Sequence, residues 1–323
     1  AQSFTLSTPA NLDVPGAADG GFAWDDYDGN GLLDAAVARS GPNQVLIILQ
    51  TAPNTFSVNQ TITVGGSQGR QVAAGDFDND GDRDILITTG GGDNLFVYAN
   101  DGSGTFSLWQ SGGASVGGRE QFDQSSTELG GWADVNGDGW LDMIIDDNNE
   151  IDLYLNDGAG ELQDNSVAAG FARAGGGFGD YGAVVDFDDD GDVDFYARRD
   201  GTASNPAQAD IYENDGTGVF TPFYGLNFDA SNGNKGAAAW GDLDNDGDFD
   251  VVITDFSTTN NATIIVEQTG VGSGTFAIAT VSIVDNGGGL SALPNSGDID
   301  GVTLGDVNHD GRVDVFLSAN SGT

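Results

Sequence analysis

Six stretches of the chain set oxygen-bearing side chains at alternate positions. They are DYDGNGLLD (26–34), DFDNDGDRD (76–84), DVNGDGWLD (134–142), DFDDDGDVD (186–194), DLDNDGDFD (242–250) and DVNHDGRVD (306–314). All six fit D-x-[DN]-x-[DN]-G-x-x-D. Alternate residues in a tight loop aim their oxygens at one centre, and a glycine at the sixth position permits the sharp turn. Hard oxygen donors in that arrangement suit a hard divalent cation. The expected side-chain ligands are Asp26, Asp28, Asn30 and Asp34 in the first loop, and Asp76, Asp78, Asp80 and Asp84 in the second. The third offers Asp134, Asn136, Asp138 and Asp142, and the fourth Asp186, Asp188, Asp190 and Asp194. The fifth offers Asp242, Asp244, Asp246 and Asp250, and the sixth Asp306, Asn308, Asp310 and Asp314. The seventh residue adds a backbone carbonyl: Leu32, Asp82, Trp140, Asp192, Asp248 and Arg312.

Six or seven ligands in flexible geometry favour calcium, about six ions in all, one per loop. Magnesium prefers to keep its waters. Zinc is disfavoured by the absence of cysteine and the single histidine. The competing reading is an acidic turn with no metal, which six copies in register weaken. Positions one, three, five and nine hold 21 of the 51 acidic residues. Without a cation each loop is a knot of like charge. With one, metal binding becomes folding free energy and takes the place of disulfides.

The elements that carry the loops are strands. Each loop follows a small or apolar run such as QVAAG or KGAAAW and precedes another such as ILITT or VVITD. Between loops, NDGSGTF (100–106), NDGAGEL (156–162) and NDGTGVF (214–220) are hairpin turns between alternating apolar runs. One unit is therefore strand, acidic loop, strand, short loop, strand, tight hairpin, strand. Units recur every 50 to 64 residues, with no helical periodicity. Radially repeated four-stranded antiparallel sheets describe a β-propeller. The expected fold is all-β, a single domain over residues 1–323 with six blades. The amino-terminal strand near residues 2–8 completes the last blade. Asp26, Asp134 and Asp242 lie 108 residues apart, each two places after a tryptophan (Trp24, Trp132, Trp240), which hints at threefold pairing of blades. Seven blades is the alternative.

GDFDNDGDRDILITTG, WGDLDNDGDFDVVITD and LYLNDGAGELQDNSVAAGF resemble the FG-GAP/VCBS repeats of secreted bacterial proteins. Similar loops occur in integrin α-subunit propellers and in a calcium-containing mushroom lectin propeller. The resemblance spans essentially the whole chain. It implies a calcium-binding propeller, an extracellular or cell-surface location, and commonly adhesion or glycan binding.

Composition narrows the partners. A formal net charge of −42 argues against nucleic acid and against an anionic membrane surface, and also fits a salty habitat. No run approaches the ~18 apolar residues of a membrane helix, so no membrane insertion is expected. The opening AQSF is compatible with a mature end after signal-peptide removal. Seven of the nine cations fall in connections expected on the face opposite the loops. Arg119, Arg173, Arg198, Arg199, Tyr224 and Lys235 are the candidate ligand-binding residues there, for an acidic or polyhydroxylated partner. Cations avoiding the metal face is the plainer explanation. Trp24, Trp132 and Trp240 read as packing between blades, Trp109 and Trp140 as more exposed, and His309 as a solvated turn residue. No nucleophilic triad is available, and Glu120, Glu128, Glu150, Glu161, Glu213 and Glu267 form no recognisable pair. The chain therefore reads as a non-catalytic adhesion or glycan- or protein-binding module. A structural module of a surface assembly with no small ligand is the alternative, and a polysaccharide-degrading enzyme the least favoured.

Overall fold

The computed structural model describes residues 17–39, 43–64, 69–89, 95–111, 114–115, 127–147, 150–159, 162–171, 178–199, 209–223, 235–255, 264–268, 276–278, 297–305 and 311–321. The chain forms two compact units, Ala1–Ala172 and Arg173–Thr323. Every described regular element is a strand. Among the described residues, no helix is long and apolar enough to cross a membrane.

The first unit holds three four-stranded sheets. The first is β1 (Ala17–Asp25), β2 (Asp34–Arg39), β3 (Gln44–Ala52) and β4 (Thr55–Thr63). The second is β5 (Gly69–Gly75), β6 (Asp84–Thr89), β7 (Leu95–Asn100) and β8 (Phe106–Leu108). A short pair, β9 (Gln110–Ser111) and β10 (Ala114–Ser115), precedes the third sheet. That sheet is β11 (Thr127–Ala133), β12 (Asp142–Asp147), β13 (Glu150–Asn156) and β14 (Leu162–Asp164). The second unit holds β15 (Phe178–Val185), β16 (Asp194–Arg199), β17 (Ala209–Asn214) and β18 (Phe220–Phe223) as the fourth sheet. The fifth sheet is β19 (Lys235–Gly241), β20 (Asp250–Asp255), β21 (Ile264–Gln268) and β22 (Phe276–Ile278). A final pair is β23 (Gly297–Gly305) and β24 (Asp314–Ser321).

Each sheet is a meander in chain order, because consecutive antiparallel strands need only short turns. The register at the loops is constant. Asp25 pairs with Asp34, Gly75 with Asp84, Ala133 with Asp142, Val185 with Asp194, Gly241 with Asp250 and Gly305 with Asp314. The ninth loop residue is thus the first residue of the second strand. The second strands are buried on both faces, as β6 is along its length, which explains their unbroken apolar runs.

Cores form between successive sheets. Ala36, Val45 and Ile47 of the first sheet meet Val72, Ile85, Ile87 and Phe96 of the second. Leu86, Leu95 and Val97 meet Met143, Ile145 and Tyr154 of the third. In the second unit Tyr196 and Ile211 pack with Val251 and Trp240. The tryptophans divide differently from the sequence expectation. Trp132 and Trp240 pack against cores as expected. Trp109 does too, edge-on to Phe77 at 4.9 Å, with its backbone N–H held by the Val97 carbonyl at 3.0 Å. Trp24, edge-on to Phe22, is 42% exposed; among the described residues of its unit, β5 is the strand of another sheet that packs extensively on β1.

The loops themselves demand left-handed backbone twice. The fourth position has φ of 71° at Gly29, 55° at Asn79, 69° at Gly137, 59° at Asp189 and 64° at Asn245. Asn and Asp tolerate that region best after glycine. The sixth position is always glycine, with φ between 82° and 97°. A Cβ at Gly81 would meet nothing within 4 Å, so Gly81→Ala isolates the backbone cost. It is expected to lower stability by about 1–2 kcal/mol, read from the shift of the chemical unfolding midpoint in calcium. An unchanged midpoint would contradict the loop conformation.

Candidate metal centres

Five of the six loops lie within the described residues. In each, the first aspartate takes up loop amides. Asp26 Oδ1 accepts from the Asn30 N–H at 3.0 Å and Oδ2 from the Gly31 N–H at 2.7 Å. Asp134, Asp186 and Asp242 accept from the matching fifth and sixth amides at 2.8–3.1 Å. The fifth residue accepts from the seventh amide: Asn30 from Leu32 at 2.8 Å, Asp80 from Asp82 at 2.9 Å, Asp190 from Asp192 at 2.9 Å. These bonds curl the backbone so that carboxylates converge.

The ninth aspartate has a second task. It is fully buried in all five loops. Asp84 Oδ2 accepts from the Phe77 N–H at 3.1 Å, and Oδ1 from the Asn100 N–H at 2.8 Å. Asp34 does the same with Tyr27 and Gln50, Asp142 with Val135 and Asn156, and Asp194 with Phe187 and Asn214. Asp250 accepts from the Leu243 amide at 2.8 Å. One carboxylate therefore staples the second loop residue to the third strand.

Carboxylate oxygens gather within 4.8 Å of one another in four loops: Asp26, Asp28 and Asp34; Asp76, Asp78 and Asp84; Asp186, Asp188 and Asp194; Asp242, Asp244 and Asp246. In a medium of effective dielectric about 20, two such charges ~4 Å apart repel by about 4 kcal/mol. The third loop differs. Asn136 replaces an acid there, and its Nδ2 donates to Asp138 Oδ2 at 3.0 Å. Asp76 Oδ1 and Asp188 Oδ1 are buried and have no hydrogen-bond partner. Orphaned, buried, anionic oxygens in a close cluster are what a hard cation satisfies, so the residues present fit one.

Electrostatics agree. Burial pushes Asp84 up to about 7, with the Asn100 and Phe77 amides pulling it back and Asp78 and Asp80 raising it further. Burial likewise pushes Asp194 up to about 7 and Asp142 up to about 6. Asp34, Asp78 and Asp188 are raised, first by burial. Without a counter-ion these sites hold charge at a cost.

Of the sixth loop, Asp306, Asn308, Asp310 and His309 lie outside the described residues. Arg312 is exposed, and Asp314 opens β24. Among the candidate ligand-binding residues, Arg119, Arg173 and Tyr224 also lie outside the described residues. Arg198 and Arg199 end β16, and Lys235 begins β19.

Two features escaped the sequence reading. The second loop residue is an apolar plug: Tyr27, Phe77, Val135 and Phe187 are each about 1% exposed. Tyr27 meets Phe106 edge-on at 5.4 Å, and Phe77 stacks on Trp132 at 5.8 Å. Tyr27 and Phe77 thereby fix their loops to the following sheet, and Phe187 packs with Val251 and Trp240 of the fifth. The apolar character of that position was visible in every copy. The other feature is an open cleft of about 500 Å³ between β15 and β19, lined by Ala183, Val185, Asp186, Trp240 and Phe249. Val185 stands where the second sheet has Gly75, and a Cβ on Gly75 would come within 2.7 Å of Trp132. Val185 and the equivalent Trp240 both line the cleft.

A family model described as an FG-GAP-like repeat matches residues 26–87, 76–143 and 186–253. No curated protein matches the sequence. Among solved structures, an Agrocybe aegerita lectin that specifically recognises non-reducing terminal N-acetylglucosamine is similar, at 20% identity and a TM-score of 0.58. The match covers 93% of this chain and 75% of the lectin. A Lactobacillus plantarum protein is similar at 18% identity and a TM-score of 0.52, over 80% of this chain and 69% of its own. Both are β-propeller proteins, and at these identities the likeness concerns the fold.

Proposed function

The chain belongs to the FG-GAP-like repeat family, and we propose that it is an extracellular, calcium-stapled β-propeller that acts as a non-catalytic adhesion module for glycan or protein. Its ring has six blades, the amino-terminal strand completing the sixth. The exposed Phe22, Trp24 and Leu33 support closure, because they leave an apolar face on the first sheet for a ring to cover. Calcium is the ion, one per loop, held by the first, third, fifth and ninth side chains.

The observation that carries the metal reading is the set of converging carboxylates with buried, unpartnered oxygens at Asp76 and Asp188. For the ligand, two surfaces compete. One is the cleft, whose Trp240 and Phe249 walls beside the Asp186 carboxylate suit a sugar ring. The other is the cationic set Arg119, Arg173 and Lys235 in connections away from the loops. The lectin's ligand makes terminal N-acetylglucosamine the first sugar to try.

The test is a glycan array probed in calcium and in EDTA. The expected result is calcium-dependent signal. Phe249→Ala is expected to lower it about tenfold if the cleft binds, since truncating an anchoring aromatic costs over 1 kcal/mol. Joint substitution of Arg119, Arg173 and Lys235 is expected to abolish it if the cationic surface binds. Signal unaffected by either set would remove both surfaces. Ordered self-association with no array signal would favour a structural module instead.

A further inference from the structure

Neighbouring loops in the first unit are joined by buried hydrogen bonds. Each joint is made by the asparagine that opens an N-D-G hairpin. The Asn100 backbone N–H is held by Asp84 Oδ1, the ninth residue of the second loop, at 2.8 Å. Its side-chain Nδ2 crosses to the preceding sheet and donates to the Tyr27 carbonyl at 2.9 Å. Tyr27 lies between Asp26 and Asp28, two expected ligands of the first loop, and its own N–H is held by Asp34 at 2.8 Å. The next joint repeats the pattern. The Asn156 N–H goes to Asp142 Oδ1 at 2.8 Å, and its Nδ2 to the Phe77 carbonyl at 2.7 Å. Phe77 lies between Asp76 and Asp78, and its N–H is held by Asp84. A continuous chain therefore runs Asp142–Asn156–Phe77–Asp84–Asn100–Tyr27–Asp34. Every member is buried.

From this we propose that the first three loops bind metal as a coupled block, with Asn100 and Asn156 as the positioning residues that transmit occupancy from one loop to the next. The inference rests on the metal reading above. An ion in one loop fixes its ninth aspartate, which fixes the asparagine bonded to it. That asparagine then holds the backbone between the first two ligands of the neighbouring loop. Ordering already done for one ion is not repeated for the next, which makes binding positively cooperative. The coupling is reciprocal, so loss of any one site weakens its neighbours. Buried amides leave no water to substitute for a broken joint.

The full chain is titrated with terbium, whose luminescence Trp140 sensitises from within the third loop. A Trp140→Phe control identifies that signal. Silencing the second loop by Asp76→Asn with Asp78→Asn is expected to weaken terbium binding at the third loop by about fivefold or more. The same pair of changes in an Asn156→Ala background is expected to shift it less than twofold. Asn156→Ser serves as a second background, and circular dichroism checks that each variant is folded. Third-loop affinity indifferent to the second loop would overturn the coupling while leaving the metal reading intact. So would a shift that persists undiminished without the Asn156 carboxamide. No terbium signal in the unaltered protein would overturn both.

Discussion

Asp84→Ala is expected to destabilise the protein by about 2–6 kcal/mol in calcium buffer. The carboxylate accepts two buried amides, from Phe77 and Asn100. Each orphaned buried donor costs about 1–3 kcal/mol. That sum is comparable to the whole stability of many domains, about 5–15 kcal/mol. Asp84→Asn keeps one acceptor and turns an NH2 toward the other amide, so its loss should be roughly half as large. Asp80→Ala removes one expected ligand that holds a single exposed loop amide, and its loss should vanish in EDTA. Denaturant unfolding of the three variants, with and without calcium, separates the staple from the ligand. Asp84→Ala within 1 kcal/mol of the parent would contradict the staple.

The metal-free protein is expected to melt higher at pH 5 than at pH 8, and calcium to reverse that trend. Asp84 and Asp194 sit at about 7 and Asp142 at about 6 when folded, against an ordinary 3.8. The folded state thus holds protons that the unfolded chain has already released. Stability from those protons is complete below about pH 4 and is lost as pH rises through about 6–7. A bound dication favours the ionised carboxylates, so it removes the penalty at high pH and is itself displaced by protons at low pH. The difference in melting temperature between calcium and EDTA should therefore shrink from pH 8 to pH 5. The net charge of −42 acts in the same direction. Asp84→Asn changes that charge by one and removes one raised group, so a visibly flatter EDTA profile in this variant assigns the effect to the buried site. A profile in EDTA that falls on acidification from pH 8 to pH 5 would contradict the account.

The sequence made the repeat legible because period and chemistry coincide. Alternating carboxylates marked the loops, Asn-Asp-Gly marked the hairpins, and unbroken apolar runs marked the buried second strands. Four strands per unit, in chain order, followed from short turns alone. What was not legible is what one residue does for a segment distant in sequence. Asn100 and Asn156 looked like turn formers, yet their side chains reach 73 and 79 residues back along the chain. The ninth aspartate looked like a ligand that closes a cage, yet both its oxygens already hold backbone amides. Tyr27 and Phe77 sit in an acidic loop, where nothing local marks an apolar residue as a plug. The asparagines and the plugs depend on how neighbouring sheets meet, and the aspartate on the register of strands within one sheet; local pattern encodes neither. Trp24 and Trp132 occupy the same repeat position and differ in burial: among the described residues, Trp132 packs against the core with the preceding sheet, while Trp24 is 42% exposed.

Bound metal counted alongside thermal unfolding in EDTA, with calcium then restored, tests the central claim most directly. The account predicts close to six calcium ions per chain and a melting temperature that collapses in EDTA and recovers with calcium. No bound calcium and an unfolding curve indifferent to EDTA would contradict it. The six loops would then be acidic turns, and the chain's charge would need another cause.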